Sequence, residues 1–203
     1  MYTLPSFQLS EDDAWSMVLE AGAGFYVRPT SSELRSVFAP IVVDESRRTI
    51  TTHVARANDW WREADGADVL VLVLAASAYV SPRHYPSKAE SPGVVPTWNY
   101  VAAEIRGTVG VHDDATWTRA QVERQTDRFE ATAATPWRVT DAPSDFIDRQ
   151  VRAIVGVSIA VSSIEGKAKL SQNRPEIDHD EVQRALSEGT LADREVARWM
   201  GHD

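Results

Sequence analysis

The chain has 203 residues, 43% of them apolar and 25% charged, with a net charge of −9 and no cysteine. This composition supports a sizeable buried core, and the absence of cysteine excludes disulfides, thiolate-ligated haem, cysteine-held iron–sulfur clusters and cysteine zinc sites. The acidic balance, with no basic cluster to offset it, argues against direct nucleic-acid binding; the lack of a basic leader or an apolar run of about 18 residues points to a cytoplasmic protein with no membrane span.

In chain order, Ser10-Glu11-Asp12-Asp13 opens a helix, with Ser10 as the cap. Trp15, Val18 and Leu19 continue it, and Gly22 and Gly24 stop it. Strands are predicted over 24–29 and 36–43, then, after the turn 44–48, over Thr49 to His53. Residues 55–64 read as a short helix ended by Asp65-Gly66. The nearly continuous apolar run 68–75 predicts a buried strand. A long strand region follows over 94–112, with Gly107 and Gly110 marking a bend or bulge. Thr118 and Gln121 form a capping-box pattern at the head of a helix. A further helix is predicted over 143–154, a returning strand over 155–161, and a helical, acidic tail from about 178, broken at Gly189.

Strands dominate the middle, and helices lie at the ends and between late strands. The order implies a single α+β domain over 1–203, built on a strongly curved antiparallel sheet or barrel.

Four segments carry a family resemblance. They are Met1-Tyr2-Thr3 with Phe7; His53-Val54-Ala55-Arg56-Ala57-Asn58; Ala78-Tyr79-Val80-Ser81-Pro82 leading through Tyr85-Pro86-Ser87-Lys88 to Trp98-Asn99-Tyr100; and Ile154-Val155-Gly156 with 165–174, Glu-Gly-Lys-Ala-Lys-Leu-Ser-Gln-Asn-Arg. Together they resemble the PaiB family of FMN-binding regulators, over residues 1 to about 186. The resemblance implies a split β-barrel with flanking helices that forms a homodimer and holds a flat cofactor between protomers. The same family includes haem-dependent piperazate synthases, which cyclise N5-hydroxy-ornithine through an N–N bond with loss of water.

The chain departs from flavin-type members. Val37-Phe38-Ala39-Pro40 stands where many have Thr-His-Leu-Pro, Ala75-Ala76-Ser77 stands for Gly-Pro-His, and His84-Tyr85 stands for Trp-Tyr. The losses suit a more apolar pocket, so haem b is the leading cofactor expectation and FMN the alternative. The leading activity is a piperazate synthase-like cyclase acting on a hydroxylated amino acid; the alternative is an FMN-binding regulator or flavin oxidoreductase.

Among five histidines and three methionines, His53 is the leading metal ligand, placed by the sequence at a strand-to-helix junction. A structural histidine bonding Asn58 is the plain alternative. His112 falls in a turn, and His179 and His202 in the tail. Arg56 could grip a propionate, phosphate or carboxylate, or form a surface ion pair. Lys167 and Lys169 share one strand face and, with Ser171, Gln172 and Asn173, could hold haem propionates or an FMN phosphate. Trp98 offers a stacking surface. Lys88 is a candidate for a substrate carboxylate, and His84 and Tyr85 for proton transfer. Trp60-Trp61 fits either a dimer contact or the core.

Overall fold

A computed structural model describes residues 1–44 and 48–201. Glu45, Ser46 and Arg47 of the expected turn, and His202, lie outside the described residues. The described residues form five α-helices and seven strands, the strands in the sheet order β2 (Leu34–Pro40), β1 (Ala23–Pro29), β5 (Asp68–Val80), β6 (Thr97–His112), β7 (Ile154–Lys169), β4 (Thr49–Ala55) and β3 (Val42–Asp44). Two compact units arise: Met1–Ala21 with Val73–Glu104 and Ile164–Asp203, and Gly22–Leu72 with Ile105–Ser163.

In the first unit, α1 (Glu11–Ala21) starts where the Ser10 hydroxyl accepts the Asp13 amide at 3.1 Å. It stops at Gly22, whose φ of 67° is left-handed. Its Ala14, Met17 and Val18 are buried. Gly166 lets α1 approach, since a Cβ there would lie 2.6 Å from that of Ala14. The tail is two helices, α4 (Glu176–Ser187) and α5 (Leu191–Met200). Thr190 and Asp193 form a reciprocal capping box at the head of α5. Val182, Leu186, Val196 and Met200 close the core of this unit.

In the second unit, β1 (Ala23–Pro29) lies between β2 (Leu34–Pro40) and β5 (Asp68–Val80), antiparallel to both. The predicted strand 36–43 is two strands, β2 and β3 (Val42–Asp44), separated at buried Ile41. β4 (Thr49–Ala55) pairs with β3 and with β7 (Ile154–Lys169), in a register that sets His53 opposite Gly156. β7 is far longer than the predicted 155–161, and β6 spans Thr97–His112.

Three expectations are corrected here. Residues 55–64 form no α-helix, only a 3-10 turn over Asp59–Trp61. Asn58 caps that turn, and the two indole N–H groups bond to the carbonyls of Tyr26 and Arg56, which tie the segment down as a loop. Trp60 itself is core. The 68–75 run is not buried on both faces: Val69, Val71 and Val73 point inward, whereas Leu72 and Leu74 are 36% and 63% exposed. Finally, α2 (Ala115–Glu130) is capped by Asp114, whose carboxylate accepts the Trp117 amide at 2.7 Å, while Thr118 and Gln121 are buried inside it.

Gly107 and Gly110 mark close approach, because a Cβ would meet Ala160 O at 2.5 Å and Ser158 Oγ at 2.6 Å, respectively. α3 (Ser144–Arg152) buries Ile147 and Val151 with Val139, against Val122 of α2. α2 packs through Trp117, whose ring occupies the space over Gly156, 2.3 Å from where a Cβ would stand. Gly156→Ala should therefore cost about 1–3 kcal/mol of overpacking strain. Urea denaturation checks this, with Gly93→Ala, which meets nothing within 4 Å, as the neutral control.

Candidate functional site

The first unit gathers most of the candidate residues around three cations. β7 alternates, so Lys167 and Lys169 emerge on one face. Lys167 is buried; its ammonium donates to Tyr2 O at 3.0 Å and lies 5.3 Å from the Tyr100 ring centre. Lys169 donates to Trp98 O at 2.7 Å and to Thr97 Oγ1. Arg174 follows the turn after β7, with its guanidinium 4.6 Å from the centre of the Tyr85 ring. Among the described residues no carboxylate forms an ion pair with any of the three. Burial, and then the Lys167 and Arg174 charges, push the Lys169 ammonium below the ordinary lysine range. Aromatic surface lies beside this cluster: Trp98, 56% exposed, meets Tyr79 edge-on at 6.2 Å.

The other candidates of this unit divide. Gln172 is spent inside the turn, its oxygen accepting from Leu170 N at 2.7 Å and its amide donating to Ala168 O at 2.6 Å. This holds Ser171 at its left-handed φ of 69° and lets its hydroxyl meet buried Asn99 at 3.0 Å. Tyr85 is fully buried; burial raises its phenol while Arg174 pulls the other way. His84 is half-buried and Lys88 exposed, each in a short 3-10 turn. Asp178 anchors these turns by accepting from the Ser87 amide at 2.9 Å and its hydroxyl at 2.6 Å.

His53 and Arg56 belong to the second unit. His53 lies within β4 rather than at a strand-to-helix junction, on the half-buried face it shares with Thr49 and Thr51. Its Nδ1 is buried without a hydrogen-bond partner. Arg56 grips Asp113 through both terminal nitrogens, at 2.6 and 3.1 Å, and donates to Arg152 O and Ile154 O. Its donors tie loops together. His112, expected in a turn, instead ends β6, stacks on Trp117 with ring centres 3.8 Å apart, and meets Ser158 Oγ at 2.8 Å. Arg174 was passed over as a candidate; the signal for it was its place in the same Lys-Ala-Lys-Leu-Ser-Gln-Asn-Arg run as both lysines.

Residues 1–163 match the family model described as "Putative FMN-binding domain". The chain belongs to that family. Protease synthase and sporulation protein PAI 2 of Bacillus subtilis is 26% identical over 90% of this chain and 87% of its own length. An uncharacterized protein of Emericella nidulans, AN0679, is 32% identical over 51% of this chain; the match spans about half of that longer relative, 45%. Among solved structures, an FAD- and haem-binding protein of Mycobacterium smegmatis superposes with a TM-score of 0.59 at 16% identity, over 80% of this chain and 73% of that one. The flavocytochrome Anf3 of Azotobacter vinelandii gives 0.61 at 9% identity, over 84% and 73%. At these identities the likeness is one of fold, and it establishes the α+β split barrel expected of the FMN-binding domain family.

Burial holds the His53 imidazole below its ordinary range, and does the same to His112, where Asp65 and Asp114 pull the other way. Both are thus neutral in the folded state down to a lower pH than in the unfolded chain, where a histidine protonates near about 6.5. The unfolded state therefore binds more protons, and stability falls as pH drops through and below that value. Urea midpoints at pH 7.5 and 5.5 should show this loss, and His53→Gln should reduce the difference between the two.

Proposed function

We propose that the chain is an FMN-binding flavoprotein of the PaiB type, holding the phosphate of FMN on Lys167, Lys169 and Arg174 in its first unit. One observation carries the reading: three cations converge with no carboxylate paired to them among the described residues, in a chain with 30 acidic residues. A phosphate dianion would relieve their repulsion through charge-assisted hydrogen bonds. The exposed rings of Trp98 and Tyr79 offer a surface for the flat ring system. The family description supports FMN over other anions. Bound FMN would supply hydride and single-electron transfer. The protein's own residues would fix the phosphate, and Asn99 with Ser171 would hold the turn that carries Arg174.

The haem reading, with cyclisation of N5-hydroxy-ornithine, is less well supported. A histidine that ligates a metal through one ring nitrogen is ordinarily fixed through the other, and His53 Nδ1 has no such partner. A single half-buried imidazole remains as the argument for it.

We infer further that a second copy of the chain covers the apolar face where Phe38, Phe25 and Leu72 lie side by side on β2, β1 and β5. Phe25 and Phe38 are 53% and 61% exposed, with ring centres 5.1 Å apart. Light scattering should return twice the chain mass, and Phe25→Glu should return the single chain; a wild-type monomer would count against this.

The functional reading is tested by titrating flavin-free protein with FMN and following flavin fluorescence. Saturable binding is expected, weakened about tenfold or more by either Lys169→Gln or Arg174→Gln. Affinity unchanged in both variants would remove the phosphate from this cluster.

A further inference from the structure

The second unit holds a cavity of about 810 Å³ between α2 and strands β3 and β4, lined by Val42, Thr51, His112, Trp117, Arg124 and Ser158. None of its groups takes part in the proposed flavin site. Trp117 organises it. His112 stacks flat on the indole with an interplanar angle of 7°, and the Arg124 guanidinium lies 5.9 Å from the same ring centre. Two glycines clear the space. Gly156 admits the Trp117 ring, and Gly110 admits the Ser158 hydroxyl that meets His112 Nε2 at 2.8 Å. A side chain at either position would close the arrangement.

Arg124 is exposed, and among the described residues its one hydrogen bond goes from Nη2 to Gln121 Oε1 at 3.2 Å. No carboxylate pairs with it among the described residues. A guanidinium with free donors at the wall of a cavity is suited to a planar oxyanion, which it can meet in a two-point fork. The Ser158 hydroxyl can give a third hydrogen bond while accepting one from His112. Asp44 also lines the cavity, so one negative charge is favoured over two. Val42 and Val43 add apolar wall.

We propose that this cavity is a second ligand site, taking a small monocarboxylate with an apolar body, its carboxylate on Arg124 and the Ser158 hydroxyl. The site stands independently of the flavin reading. Benzoate is the probe, followed by the indole resonance of Trp117 in the NMR spectrum of the intact protein. A saturable shift is expected, weakened about tenfold or more in Arg124→Gln and less in Arg124→Lys, which keeps the charge but loses the fork. Lys169→Gln should leave it unchanged. Arg124 is exposed, so its variants should fold, and an unchanged thermal midpoint confirms that. No saturable shift, or one that survives Arg124→Gln, would overturn the proposal. A shift lost in Lys169→Gln would overturn it too, by placing benzoate on the flavin cluster. Inorganic phosphate binding more tightly than benzoate would overturn the choice of a single charge.

Discussion

Like charges held close together in a partly buried place repel, and the repulsion is relieved only by an opposite charge brought to them. Lys169, beside Lys167 and Arg174, is in that position. Their nearest polar partners are mostly backbone carbonyls and a threonine hydroxyl, which orient the ammonium groups without neutralising them. The chain's many acids are used elsewhere. Asp178 is buried on Ser87, Glu104 and Glu165 hold the terminal amino group of Met1, and Glu181 and Glu188 pair with Arg184. A net charge of −9 thus coexists with a local positive site, and it is the local arrangement that a phosphate would meet.

The site depends on how the surrounding chain is fixed. Asn99 lies on the buried face of β6 and bonds to Ser171, while Gln172 staples the turn that follows β7. Lys169 of β7 reaches across to Trp98 and Thr97 of β6, so the lysines and the exposed aromatic surface are held on neighbouring strands. Sites built on strands and their immediate turns are held more tightly than sites on long loops. The family match agrees with an anionic, flat cofactor of this kind, while the split-barrel likeness is one of fold alone and leaves the reaction open.

Much of this was legible in the sequence. Alternation placed Lys167 and Lys169 on one face, because side chains in a strand repeat every two residues whatever the tertiary setting. The α1 start was readable from Ser10, since a cap is a local interaction. What failed was tertiary in origin. Leucines and valines alternate within one apolar run in β5, so composition could not separate an inward face from an exposed one. The segment 55–64 has helix-forming residues, but a bond from Trp60 to the distant carbonyl of Tyr26, with one from Trp61 to the nearby carbonyl of Arg56, overrides that preference. Thr118 resembles a cap, yet Asp114 lies four residues earlier and takes the role. His112 looked like a turn residue beside two aspartates. Its stacking on Trp117 and its contact with Ser158 come from strand pairing and from two glycines that leave room. Of the two roles open to Arg56, an anion grip or a surface ion pair, the structure shows the ion pair, with a bidentate partner 57 positions away.

The central claim is that Lys167, Lys169 and Arg174 hold a phosphate. It is tested most directly by comparing FMN with riboflavin, which carries the same ring system without the phosphate, on the wild-type protein and on the Lys169→Gln, Arg174→Gln double variant. The account predicts that FMN binds the wild type at least about tenfold more tightly than riboflavin, and that the double variant loses this preference while still binding riboflavin. Equal affinity for the two ligands in the wild type, or a preference for FMN that persists in the double variant, would contradict it.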